Sequence, residues 1–440
     1  MYTRIKGTID IFPKEKRLYQ FVGNVGRRVA AIYGFKEMST PIIEHTELFQ
    51  RSVGDDSDIV SKEMYSFKDL GGSMTCLRPE NTAGVVRAVV NEQSAAHMPQ
   101  RYFYSGPMFR YERPQRGRQR QFEQLGIESF GESDPSSDVE VIDCANMFLN
   151  QLSITNDKYT LKINSLGDLE SRSKYLNQLE LYYKDRRESL SKDSQDRLDR
   201  GSILRILDSK DVKDKAISKD APKLFDYLNS ESLDRFNKVL NGLDKFELKY
   251  QLDHNLVRGL DYYNHTIFEM VVGDETTTSS APPLAILGGG RYDGLANKFG
   301  YKSQKSAALP SIGWACGVER ILMFMDQQLL KPETKPIVVC TFESNESIVQ
   351  LARDIARTLR HQGYAVIVSD LNLSTSKQIR NANQRYEPEV VIVVGGEEAL
   401  TNSVQIKHMA TESKHTVRIE KITDHLTQLN IQTIDPINNI

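Results

Sequence analysis

Leu18, Phe21, Val22, Val25, Val29 and Ile32 recur at spacings of three and four, which predicts an amphipathic helix. Pro13 opens it and Gly34 ends it. FKEMSTPIIE follows as a short extended stretch broken by Pro41, and residues 82–93, after Pro79, read as a second helix. The character changes at Arg101. RYFYSGPMFRYER is rich in aromatics and reads as a strand, PQRGRQR as a basic loop, and QFEQLGIESFG as the returning strand. Together they form an antiparallel hairpin with arginines at its tip. Residues 169–250 are charged, with leucines at helical spacing, and read as a helical insertion. Strand patterns return at 256–272 and 284–292, separated by the polar loop GDETTTSSAPP, and SIGWACGVERILMFM reads as a strand running into a helix. KPETKP is a linker by composition. Beyond it IVVCTF, YAVIVS and VVIVV alternate with helical stretches, the pattern of a small parallel α/β domain.

Composition narrows the class. A chain of 440 residues with 39% hydrophobic and 26% charged positions fits two or three globular domains. A formal charge of −2 gives no global positive field, so any nucleic acid must be met by local basic patches. Cys76, Cys144, Cys316 and Cys340 lie far apart, which fits neither a zinc knuckle nor a secreted disulfide framework and points to a reduced, cytoplasmic setting. The first residues lack a signal-peptide core, and no run of about 18 apolar residues suggests a membrane span. Walker and Rossmann glycine loops and HExxH are absent, so no metal site is expected, and a nucleotide must be held some other way.

The hairpin carries Arg110, Arg113, Arg116, Arg118 and Arg120, whose guanidinium groups suit phosphate. A solvated basic loop is the plain alternative. Arg110 reads as lying inside the strand, where a buried arginine needs a partner. On the return strand Gln124, Gly126 and Glu128 share a face, with Gly126 leaving room between an amide and a carboxylate. Glu128 is placed to meet an ammonium group, or else to pair with a neighbouring arginine. Glu80 in LRPENTAG precedes a helix, where it acts on a ligand or simply on the helix dipole. In LVRGLDYYNHTIFE, strand alternation puts Tyr262 on the face of Arg258 and Tyr263 on the other, unless Gly259 permits a bulge. LGGGRYDGL allows close approach to a ligand or makes a plain tight turn. Arg320 in GWACGVER opposes the dipole of its helix, which suggests an anionic partner.

In order, these segments resemble the signature elements of class II aminoacyl-tRNA synthetases. FRYERPQRGRQRQFEQLGIE is similar to the second motif of that class and GWACGVERIL to the third, while residues 13–41 fit the first loosely. LVRGLDYYNHTIFE and GGGRYDGL resemble segments particular to the histidyl enzymes. The resemblance starts at KGTIDIFP, where Arg-Gly-Thr-x-Asp is common in the family, and covers nearly the whole chain. It implies an α+β catalytic domain on an antiparallel sheet (1–168 and 251–328), the helical insertion (169–250), a linker (329–336) and an α/β anticodon-binding domain (337–440). It also implies a set of roles. Glu80, Asn81, Thr82, Gln124, Glu128, Tyr262 and Tyr263 would hold histidine, with Arg110 and Arg258 at the reacting carboxylate and α-phosphate. Asn81 stands where the family usually has glycine. Arg110, Arg118 and Arg320 would hold ATP, and Arg113 and Gln115 would touch the tRNA acceptor end.

The implied reaction is adenylation of L-histidine by ATP with Mg2+, without zinc, followed by acyl transfer to tRNA(His) in a homodimer. Fixed positive charge is then the main need, because the entering carboxylate and the α-phosphate are both anionic. Three rivals share the scaffold: a non-catalytic paralogue, a module that senses uncharged tRNA, and a class II enzyme for another amino acid. The region past the linker disfavours the first, Arg258 and Glu128 the second, and the two histidyl-type segments the third.

Overall fold

Proline opens the first helix where the sequence places it. Helix α1 spans Pro13–Ile32, ends at Tyr33 and Gly34, and buries Val22, Val29 and Ala30. The computed structural model describes residues 2–54, 57–92, 98–207, 209, 211–273, 283–302, 308–370 and 372–434. Its backbone falls into two units, Met1–Leu329 and Leu330–Ile440.

After α1 come β1 (Lys36–Glu37), β2 (Ile43–His45), α2 (Thr46–Val53), β3 (Tyr65–Lys68), β4 (Met74–Leu77) and α3 (Thr82–Asn91). The hairpin is β5 (Gln100–Phe109) and β6 (Gln121–Phe130), in register from Gln100 opposite Phe130 to Phe109 opposite Gln121. Arg110 therefore lies one residue beyond the strand and not inside it, although its N–H still donates to the Arg120 carbonyl at 2.9 Å. Helix α4 (Pro135–Gln151) and β7 (Tyr159–Ser165) follow.

Residues 169–250 are helical: α5 (Leu169–Lys184), α6 (Lys192–Asp199), α7 (Leu204–Leu207), α8 (Val212–Ser218) and α9 (Ser230–Lys245). Asp168, Ser191, Asp211 and Asn229 cap four of these helices through their side chains, each cap stabilising by about 1 kcal/mol.

The chain returns through β8 (Gln251–Leu252), β9 (Asn264–Val272), β10 (Leu284–Arg291), α10 (Leu295–Lys298), β11 (Ser311–Gly317) and α11 (Val318–Leu322). The strand expected from residue 256 begins only at Asn264. Arg172 from the insertion takes the carbonyls of Asp261 and Tyr263 at 3.3 and 3.0 Å, so this stretch bonds to a helix and not to a ladder. The GGG run is not a turn. It lies within β10, at the centre of the sheet. Of the polar loop expected at 273–283, residues 274–282 lie outside the described residues.

Eight strands make the main sheet, in the order β1-β5-β6-β11-β10-β9-β7-β8, antiparallel except at its two edges. A small antiparallel sheet, β2-β4-β3, stands apart. One face of the main sheet packs Phe103, Leu125, Ile127, Phe268 and Trp314 against α1, α4 and α9. The other packs against α2, α3 and the insertion, with Tyr104, Met108, Tyr262, Tyr263 and Tyr292 at its centre.

The second unit holds β12 (Ile337–Thr341), α12 (Glu346–His361), β13 (Val366–Val368), α13 (Thr375–Tyr386), β14 (Val390–Val394), α14 (Gly396–Leu400), β15 (Ser403–His408), β16 (Lys414–Arg418) and α15 (Ile422–Gln428). Its sheet runs β13-β12-β14-β15-β16. The first three strands are parallel, and β15 and β16 are antiparallel, which corrects the all-parallel expectation. The connections after β14 are too short for the crossover of a dozen or more residues that parallel pairing needs.

Candidate active site

Residues directly opposite one another on neighbouring strands share a face. Tyr104, Gly126, Ala315, Gly288 and Glu269 form one such row across five strands, and Tyr102, Glu128, Gly313, Gly290 and Ile267 form the next. The middle of this face is therefore paved with glycine and alanine. Three of these glycines lie directly beneath a larger side chain. A methyl group on Gly313 would run into the Glu128 carboxylate, and one on Gly288 into the Arg258 guanidinium. At Gly126 it would sit 2.6 Å from the Tyr104 hydroxyl. The space expected above Gly126 is thus filled by Tyr104 and does not lie open for a ligand.

Over this floor lies a cleft. It is lined by Glu80, Thr82, Arg110, Arg118, Gln124, Glu128, Arg258, Tyr262, Tyr263 and Arg320, so stretches nearly 250 residues apart converge as the sequence suggested. Arg113 and Gln115 do not reach it. They are exposed at the hairpin tip, which is closed by a bridge between Gln115 and Arg118. Asn81 is buried behind the cleft, its Oδ1 accepting from Thr40 Oγ1 at 2.6 Å and Arg78 Nη1 at 3.2 Å.

At one end sits Glu128, 1% exposed. Its carboxyl accepts from Thr82 Oγ1 at 2.6 Å, from the Tyr104 hydroxyl at 3.5 Å and from the Tyr292 hydroxyl. No arginine pairs with it among the described residues, so of the two sequence alternatives the ion pair is not realised. Burial pushes its pKa up to about 8, against the downward pull of the Thr82 and Tyr292 hydroxyls. A carboxyl ringed by hydroxyls and lacking a cation is a receptor for one. Tyr262 and Tyr263 wall this end together. Their ring centroids are 4.7 Å apart, and Tyr292 stands 5.6 Å from Tyr262. The loop geometry, not strand alternation, brings both tyrosines to the same side. Glu80 caps α3, accepting from the N–H groups of Thr82 at 2.7 Å and Ala83 at 3.0 Å. This is the dipole placement, realised inside the cleft.

The other end is cationic. Arg110 donates to the Pro79 carbonyl at 2.8 Å and lies 5.3 Å from the Phe122 ring. Arg118 pairs with Glu112 at 3.2 Å, and Arg110 is 3.9 Å from the same carboxylate. Among the described residues Arg320 donates to backbone carbonyls, those of Ala285 at 2.7 Å and Gly117 at 3.2 Å. Burial first, and then the charges of Arg118 and Arg110, push the Arg320 pKa down. Like charges held this close call for an anion between them. Arg258 lies between the two ends, paired with Glu269 and 5.5 Å from the Tyr263 ring. Among the described residues its Nε and the Gln124 Oε1 are buried without a hydrogen-bond partner, as groups that a ligand completes would be.

Sequence reasoning missed Tyr104, Tyr292, Glu269 and Phe122, although Tyr292 and Glu269 fall in the quoted segments GGGRYDGL and LVRGLDYYNHTIFE. It also missed the support beneath them. Arg291 and Asp138, both sealed from solvent, pair across the end of β10, and Arg235 joins the same carboxylate at 3.1 Å. No local signal marks a pair 153 residues apart.

A cationic cluster standing on an antiparallel sheet, without a glycine loop, is the build of class II aminoacyl-tRNA synthetases, and the first unit has that architecture. Family comparison narrows the class. Residues 7–321 match the model of the histidyl-tRNA synthetase family, and residues 336–429 that of an anticodon-binding domain. The chain is 47% identical to a probable mitochondrial histidine–tRNA ligase of Dictyostelium discoideum, over 96% of this chain and 87% of that protein. It is 40% identical to the histidine–tRNA ligase of Listeria innocua, over 96% and 97%. Among solved structures, apo histidyl-tRNA synthetase of S. aureus superposes with a TM-score of 0.77 at 29% identity, covering 97% of this chain and 99% of that one. The chain belongs to the histidyl-tRNA synthetase family. It is an ATP-dependent ligase that joins histidine to tRNA through an aminoacyl-adenylate.

Proposed function

We propose that the two ends of the cleft divide the chemistry between them. Glu128, Thr82 and Gln124 receive the α-ammonium group of histidine, with Glu80 shaping the loop, and Tyr262 and Tyr263 enclose its ring. Arg110, Arg118 and Arg320 receive the triphosphate of ATP, and Phe122 is placed to stack on the base. Arg258 stands where the carboxylate of histidine meets the α-phosphate. One observation carries this reading: cations from three distant stretches line a single cleft, with one carboxylate, Glu112, between Arg110 and Arg118.

In the first step a carboxylate oxygen attacks the α-phosphorus, the bond to the β-phosphate oxygen breaks, and pyrophosphate leaves. Arg258 and Arg110 offset the negative charge that gathers there. In the second step the terminal ribose hydroxyl of tRNA attacks the adenylate carbonyl and AMP leaves. Arg113 and Gln115, exposed at the hairpin tip, are placed to meet the acceptor end. The unit from residue 337 onward reads the anticodon, and the 169–250 helices flank the acceptor stem.

The family's reaction uses ATP with magnesium. Among the described residues no group of His, Cys, Asp and Glu could hold a metal ion by itself. Glu112, Glu269 and Glu319 line the cleft, and these carboxylates fit an ion that takes one or two protein ligands and the rest from phosphate and water. Magnesium would add positive charge on the phosphates.

No helix among the described residues is long and apolar enough to cross a membrane. Four buried free cysteines suit the reducing cytosol. The mitochondrial relative favours an organelle matrix as the second reading. A homodimer is supported by the exposed apolar side chains Ile42, Ile43, Phe67 and Met74 around the small sheet, and sedimentation equilibrium tests it.

ATP–pyrophosphate exchange with each of the twenty amino acids tests the specificity. Exchange that depends on histidine alone is expected; exchange driven by another amino acid would overturn the reading.

A further inference from the structure

Residues 257–263 bring Arg258, Tyr262 and Tyr263 to the cleft, yet they lie outside the sheet, whose strand β9 begins at Asn264. At its start this stretch is tied to β7. Asn164, 3% exposed, donates from Nδ2 to the carbonyls of His254 at 3.3 Å and Leu256 at 3.1 Å. At its end the tie comes from the insertion. Arg172 Nη1 donates to the carbonyls of Asp261 at 3.3 Å and Tyr263 at 3.0 Å. A terminal guanidinium nitrogen carries two hydrogens, one for each carbonyl. One side chain therefore grips the backbone on both sides of the buried Tyr262. The Asp261 N–H reaches the Val53 carbonyl at 3.4 Å, a longer hold than either.

Arg172 stands where its own helix does not favour it. Asp168 caps α5, which puts Arg172 four residues on, at the positive end of the helix dipole. Burial pushes its pKa down, and the charge of Asp261 pulls the other way. What offsets this local cost lies outside the helix, in the two carbonyls and the Asp261 carboxylate. Arg205 of α7 is 3.8 Å from the same carboxylate, and a methyl group on Gly54, at the end of α2, would strike it. The turn that carries the two tyrosines is thus held against the insertion on one side and α2 on the other.

We propose that Arg172 is a positioning residue for histidine binding, through which the helical insertion fixes Tyr262 and Tyr263 in the first step of the reaction, before tRNA takes part. The inference rests on the reading that these tyrosines enclose the ring of histidine. Arg258 is held separately by Glu269, and Arg110, Arg118 and Arg320 stand on other elements. Loss of Arg172 frees the tyrosine pair and leaves those cations in place.

Arg172→Met keeps an apolar stem and removes both donors. In ATP–pyrophosphate exchange without tRNA, its KM for histidine rises roughly three- to tenfold, the worth of one net hydrogen bond, while kcat and the KM for ATP stay within about twofold. Arg172→Lys, which keeps a charged donor, brings the KM for histidine part of the way back. Amide exchange at residues 261–263 quickens in Arg172→Met while β9 and β10 stay protected. Leu198→Ala, in the core of the insertion on α6, lowers Tm without moving the KM for histidine. An unchanged KM for histidine in Arg172→Met, an equal rise for ATP, or an equal rise in Leu198→Ala overturns the proposal. Tyr262→Leu, measured alongside, separates it from the reading beneath. If that variant raises the KM for histidine and Arg172→Met does not, the positioning role alone falls. If neither variant moves it, the assignment of the ring pocket falls too.

Discussion

Removing Arg258 should slow adenylation without releasing histidine. Its guanidinium is paired with Glu269 and rests over Gly288, with side-chain exposures of 18% for Arg258 and 23% for Glu269. A preorganised donor aimed at developing negative charge contributes about 2.7–4 kcal/mol, or about 10²–10³ in rate. Arg258→Ala is therefore expected to lower the single-turnover rate of adenylate formation by that factor. The dissociation constant for histidine should change by less than about threefold, because the proposed ammonium and ring contacts are Glu128, Tyr262 and Tyr263. A second effect must be separated from this one. The variant also strands Glu269, which costs stability on the order of 1–3 kcal/mol for an unpaired, partly buried group. Adding Glu269→Gln removes the stranded charge. The double variant should regain Tm and remain slow. Rapid-quench measurement at saturating histidine and ATP gives the rate, and equilibrium dialysis gives histidine affinity. A double variant that regained the rate would show that Arg258 serves only to neutralise Glu269, and an unchanged rate constant in the single variant would refute the assignment outright.

Three further expectations come from charges described above. Arg320→Met removes a cation that repels Arg110 and Arg118, so the KM for ATP should rise roughly 10- to 100-fold, as for one charged hydrogen bond, while Tm holds or rises; a fall in Tm with an unchanged KM would contradict this. Glu128 binds its proton more tightly in the fold than in the unfolded chain, its pKa moving from 4.5 to about 8. Its contribution to stability is therefore full below the unfolded value and is lost as pH rises through the folded one. Glu128→Gln should accordingly be more stable than the parent at pH 8.5 by about 4 °C or more in Tm, with the advantage vanishing near pH 4.5, as calorimetry across that range will show. Asp138→Ala leaves Arg291 sealed without its carboxylate and should cost about 3–5 kcal/mol in denaturant unfolding; a cost below about 1 kcal/mol would mean that the buried pair contributes little.

The sequence was most informative where one element repeats one pattern. Helix α1 and the β5–β6 hairpin were readable because their apolar spacing matches a single period over many residues. Misreadings arose where neighbours decide. Arg110 was placed inside its strand although pairing stops at Phe109. The two tyrosines were put on opposite faces because residues 256–263 were given strand alternation, whereas Arg172 draws their carbonyls elsewhere. Gly126 was read as room for a ligand, yet the room belongs to Tyr104. A glycine states that something comes close without saying what. The C-terminal strands are legible as strands, but their direction follows from connection length, which apolar pattern alone does not carry. Buried partners such as Arg291 and Asp138, far apart in the chain, leave no periodic trace.

The glycine and alanine floor makes missing atoms part of the specification of this site. At Gly288 and Gly313 a single added carbon would strike a functional group directly above it. Variation there is harmful by addition, the reverse of the arginines, where harm comes from truncation. A scan that only shortens side chains would pass over these determinants of the cleft. Insertion of the smallest methyl, one floor position at a time, would map the outline of the groups resting on it.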